Sequence, residues 1–110
     1  MKIIKKNRKF KVGKPKVTIN HVADVILKND ELVNFKFGKS IYDFVKKNWG
    51  FYLTGSINRR LKKEGFKIII VKNKTSQIYL MAVHKHKMDK FIKYCKDHKQ
   101  KIIKRLTNKI

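Results

Sequence analysis

The sequence predicts an α+β domain, with a three-helix core and a β-hairpin, a long C-terminal amphipathic helix and a basic N-terminal arm. Three observations carry this. Apolar residues recur at helical spacing in several segments. A stretch rich in Ile, Val and Tyr is divided by a single turn at 74–76. Eight Lys or Arg crowd the first sixteen residues with no acid among them.

Taken in order, residues 1–16 form the arm, because charge of one sign and the interruptions at Gly13 and Pro15 leave nothing to pack. Residues 17–84 form the folded body. Ile19, Val22, Ala23 and Ile26 recur as on one helix face after Thr18 as N-cap, and Asn29-Asp30 ends the run. Leu32–Phe37 alternates from Val33 onward and makes one short strand before Gly38. Ser40 with Asp43 gives a capping box, Ile41, Phe44 and Val45 an apolar face and Gly50 a stop, so a second helix is expected over 40–49. A connection, Phe51-Tyr52-Leu53-Thr54, leads to a short basic helix over 55–64, capped by Thr54 and closed by Gly65. Phe66–Asn73 and Gln77–His84 then read as the two strands of a hairpin. Over 85–110, Met88, Phe91, Ile92, Cys95, Ile102 and Leu106 follow a helical stripe that Lys99 interrupts, which predicts a helix that packs on the body or serves assembly.

Thirty Lys or Arg against seven Asp or Glu give a net charge of +23 on 110 residues. A compact chain so charged repels itself, so a polyanion, and nucleic acid first among polyanions, is the expected partner. The 42% hydrophobic content is too high for a wholly disordered basic protein. No apolar run approaches the roughly 20 residues that span a bilayer, and Met1–Lys16 lacks the apolar stretch of a secretory signal. An intracellular, non-secreted protein is expected. Cys95 is the only cysteine, which excludes an internal disulfide or a cysteine-based zinc site.

Ser40–Val83 resembles the helix-turn-helix and wing of the winged-helix superfamily. Thr54 through Phe66, with Ser56, Ile57, Asn58, Arg59, Arg60, Leu61, Lys62 and Lys63, resembles a recognition helix running into the first wing strand. The resemblance implies that Ile57 and Leu61 face the core, while Ser56, Asn58, Arg59, Lys62 and Lys63 face a DNA groove. Arg suits a guanine edge, Asn an adenine edge, and Lys and Ser suit phosphates. Lys67, Lys72 and Lys74 would place the wing against the backbone, and Lys5, Lys6, Arg8 and Lys9 of the arm would add phosphate contacts. Phe44, Trp49, Phe51, Tyr52 and Phe66 offer stacking surfaces for unpaired bases in principle, but aromatics at helix ends and before strands are more often core, and core is the expectation here.

Catalytic patterns fail on inspection. Gly38-Lys39-Ser40 lacks the glycine a phosphate-binding loop needs at Val33. His84, His86 and Asp89 stand among lysines that repel a cation, and Cys95 lies on an apolar stripe. The acids, single apart from Asp30-Glu31, do not suggest a two-metal site. The expectation is a non-enzyme without cofactor or metal. With DNA favoured over RNA as the partner, three functions follow, in order: duplex-DNA binding through the 55–64 helix, with the last helix available for self-assembly; a structural component of a nucleoprotein particle such as a virion or ribosome-like assembly, binding nucleic acid without sequence readout; and capture of an acidic protein.

Overall fold

The computed structural model describes residues 1–109, and the side chains of all of these except Thr54, Asn108 and Lys109. The architecture is mostly β, which corrects the expected three-helix core. About 55% of the chain lies in eight strands forming three antiparallel sheets. The chain divides into two compact units: residues 1–35 with 43–54, and residues 36–42 with 55–110.

In the first unit, the expected flexible arm is strand β1, Lys2–Val12, paired antiparallel with β2, Val17–Ile26. The first helix is therefore absent. Six of the ten residues of β2 are β-branched, which favours extended backbone over helix despite the helical coincidence of Ile19, Val22, Ala23 and Ile26. The charges of β1 do not oppose a strand, since each of its Lys and Arg side chains stays exposed. Strand β3, Leu32–Phe37, forms as expected. The expected second helix is instead β4, Ser40–Lys47, and the expected connection at 51–54 is β5, Gly50–Thr54. Burial in β4 alternates at Asp43 and Val45, a period of two. Ser40 caps nothing; its hydroxyl donates to the Glu64 carbonyl at 2.6 Å, and the Asp43 carboxylate accepts from Asn34 at 2.6 Å.

The second unit holds a sheet ordered β7-β6-β8, with β6 at Phe66–Lys72, β7 at Ile78–His84 and β8 at Lys101–Arg105. The β6–β7 hairpin matches the sequence expectation within a residue, and the Asn73 side chain closes its loop by accepting from the backbone N–H of Thr75 and Gln77. As the middle strand, β6 is buried on both faces. Ile69 and Val71 pack with Val83 and Cys95, bordered by Met81, Met88, Phe91 and Ile102; Phe66 and Ile68 pack with Leu61, bordered by Tyr42, Ile57 and Leu106. Two-sided burial explains the unbroken apolar run Ile68–Val71.

The expected long C-terminal helix is α2, Met88–Asp97, followed by β8. Lys99 ends it in the left-handed conformation (φ 53°), where the Lys99 N–H donates to the Lys96 carbonyl and the Gln100 N–H to the Cys95 carbonyl. That pair of bonds is a Schellman closure, with lysine at the position glycine usually holds. Ile110, the last residue of the expected helix, lies outside the described residues. The third helix shrinks to α1, Arg60–Lys63. The Thr54 capping expectation lies outside the described side chains. No described helix is long and apolar enough to cross a membrane.

Candidate nucleic-acid interface

The outer half of the β1–β2 ribbon sorts its side chains by chemistry. Lys9 lies opposite Asn20 and Lys11 opposite Thr18 on one face, while Phe10 opposite Ile19 and Val12 opposite Val17 occupy the other. The first face is entirely polar and exposed. Between Lys5 and Arg8 the register slips, so that Lys6 and Asn7 oppose Val22 alone. A small network fills this bulge. Arg8 Nε donates to His21 Nδ1 at 3.3 Å, which leaves the ring proton on Nε2 to bond Asp24 at 2.7 Å, and Lys6 Nζ lies 3.6 Å from the same carboxylate. The His21 hydrogen bond, aided by Lys6, holds the Asp24 carboxyl below its ordinary range. Arg8 also lies over the Phe10 ring at 4.6 Å. Of the four expected arm contacts, Lys6 and Arg8 are thus engaged inside the ribbon, and Lys5 and Lys9 project into water.

The expected recognition helix is corrected. Arg59 has φ −130° and ψ −87°, so the helix begins only at Arg60, and the Ser56 carbonyl accepts from the N–H groups of Arg59 and Leu61 to close the preceding loop. Leu61 is buried and Ile57 half-buried in the core below, as the spacing implied. Ser56, Asn58, Arg59, Lys62 and Lys63 all stay exposed on this short segment, but a helix of four residues is too short to lie along a groove. Lys67 is half-buried opposite Val83. Lys72 ends β6, a strand whose seven residues span about 20 Å, and Lys74 lies in the turn beyond it. They do not join the 56–63 segment in one short contact. Lys72 instead stands opposite Lys101 of β8, two like charges side by side where an anion would relieve the repulsion.

The aromatics divide. Phe66 is core at 6% exposure and Phe44 is half-buried, whereas Trp49 is 68% exposed, Phe51 59%, and Tyr52 is exposed as well. The core expectation therefore fails at 49, 51 and 52, because the segment is a turn and an edge strand of the β3-β4-β5 sheet and not a link between packed helices. Sequence reasoning also passed over Lys11, Thr18 and Asn20 as contacts. Period-two alternation on both sides of Gly13–Lys16 was the signal that would have found them.

By charge, the first unit carries eleven Lys or Arg against four acids and the second nineteen against three. Among the described residues no three His, Cys, Asp or Glu side chains converge as a metal site. The His84 and His86 rings lie 5.3 Å apart, and His84 Nε2 is within 3.1 Å of the Ser40 hydroxyl, so His84 is engaged in packing around Gly65. Comparison with family models, curated proteins and solved structures finds no match, so the functional reading stands on the residues of this chain.

Proposed function

We propose that the protein is a non-enzymatic nucleic-acid-binding protein that holds phosphates without reading base sequence, as a structural component of a nucleoprotein assembly. The observation that carries this reading is the ribbon face of Lys9, Lys11, Thr18 and Asn20, polar throughout and free of acids. Strands of ten and eleven residues make the ribbon about 35 Å long. Such a ribbon fits the roughly 12 Å width of a major groove, and in irregular RNA it can lie along a strand. Lysine and hydroxyl donors spaced along both strands suit a row of phosphates. The basic groups of the second unit, at 59–63, at Lys72 with Lys101, and along α2 at Lys90, Lys93 and Lys96, point to contacts from several sides, as expected of a protein embedded among phosphates. With no long basic helix to enter a groove, the earlier expectation of sequence readout through residues 55–64 loses its element.

The test is a binding titration against duplex DNA, single strands and structured RNA at several salt concentrations. With about six to ten phosphates neutralised, affinity falls by roughly 10³ to 10⁵ between 50 and 200 mM salt. The double variant Lys9→Ala with Lys11→Ala lowers the slope of log affinity against log salt by about 2 and leaves the thermal midpoint unchanged. A flat salt dependence would remove the reading. Strong enrichment of one duplex from a random pool would replace it with sequence recognition.

A further inference from the structure

We propose that the end of the β4–β5 hairpin is a stacking site for unpaired bases of a single-stranded nucleic acid. The proposal rests on the phosphate-binding reading above and adds what the bases of the bound strand would touch.

Trp49 occupies the two-residue turn Asn48-Trp49 between Lys47 and Gly50, whose φ of 139° only glycine adopts readily. The indole therefore stands clear of the sheet. Tyr52 lies beside it, ring centroids 6.2 Å apart and planes 22° from parallel, and both rings are exposed. Phe51 alternates to the opposite side of the hairpin, across from Lys46, and is just as open. On that side Phe44 meets Phe35 edge to face at 5.0 Å and extends the aromatic surface. Trp49 with Tyr52 on one side of the hairpin end, and Phe51 on the other, hold large rings in water, exposed apolar surface of the kind that marks a contact site.

Charge and ring electronics select the occupant. A second copy would bring +23 against +23. An acidic protein would set carboxylates against ring faces that are themselves negative. An unpaired base offers a flat π-face to the rings, and its phosphate suits Lys46 and Lys47 at the strand ends. Lys47 now pairs with the exposed Asp30 carboxylate, and Lys46 donates to the exposed Asn29 amide oxygen and to the Lys47 carbonyl; an exposed ion pair is worth little, so a phosphate can replace these partners. In a duplex the base faces are already stacked on one another, so the site discriminates in favour of single strands.

Trp49 is the only tryptophan, so the fluorescence of the intact chain reports directly on this site. The probes are an oligothymidylate and a duplex of equal length, each titrated at low salt and again at high salt, where phosphate contacts are weakened. Trp49 emission is expected to be quenched by the single strand and little changed by the duplex. Phe51→Ala and Tyr52→Ala are each expected to weaken single-strand binding by roughly 5- to 150-fold, with duplex affinity held within about twofold and circular dichroism unchanged. Binding of the single strand with unaltered Trp49 emission, or equal losses on both probes, overturns the proposal. A concentration-dependent emission shift without nucleic acid assigns the patch to a second copy and overturns it too. Absence of any binding at low salt removes the phosphate reading itself and this one with it, a result distinct from all of these.

Discussion

The two units spend their apolar residues in opposite ways. In the second, Ile68, Ile69, Val71, Leu61, Phe66, Val83 and Cys95 are buried on the two faces of one strand, so a core closes around β6 in spite of nineteen basic residues. In the first, Ile3, Val17, Ile19, Val22, Val25 and Ile26 remain exposed on a two-stranded ribbon, and among the described side chains burial is confined to Asp43 and Val45 of β4. A lone hairpin is marginal in water, whereas a three-stranded sheet with a helix on one face is not. The second unit has a core of its own, whereas the ribbon of the first suits the proposed reading of an element completed by the polyanion it binds.

The comparison breaks most easily on a pair of isoleucines. Ile69→Ala removes a side chain with no exposure and is expected to cost about 2–5 kcal/mol, while Ile19→Ala in the ribbon is expected to cost about 0.5 kcal/mol or less. Chemical denaturation of both variants measures the difference, and similar losses would show that the ribbon shares the core. Hydrogen exchange sharpens the same contrast. Amides of β1 and β2 should exchange much faster than those of β6, and saturating polyanion should slow the ribbon amides more than the β6 amides. Equal protection of both would contradict a binding-completed ribbon. The smallest effect belongs to Lys99→Gly, which relieves a left-handed lysine at the end of α2 and is expected to stabilise by about 1 kcal/mol, raising the thermal midpoint by a few degrees. A lower midpoint would mean that the Lys99 side chain itself supports the turn.

The β6–β7 hairpin was legible in the sequence because its β-branched runs meet at a turn whose Asn, Thr and Ser favour reversal, and local chemistry agreed with the final pairing. The ribbon was not. Ile19, Val22, Ala23 and Ile26 fit a helix, but Val17, Ile19, Ala23 and Val25 fit a strand equally well, and only the excess of β-branched side chains separates the two. Ser40 with Asp43 misled in the same manner: both lie on β4, where Asp43 is buried against Asn34 and not exposed at a helix start. Of the candidate site, the basic residues were visible as charge. Their arrangement was hidden, since it depends on pairing between strands and on which aromatics the sheet leaves uncovered.

The ribbon has a colloidal consequence. As a two-stranded sheet it has two open edges, each a template onto which another extended chain can add. Mutual repulsion among Lys2, Lys5, Lys9 and Lys11 and their counterparts on a neighbouring molecule opposes such addition. The lysines that would hold phosphates therefore also keep copies apart. Whatever neutralises them without covering the strands, whether concentrated salt or a short polyanion near charge balance, removes that restraint, and solubility is expected to fall there.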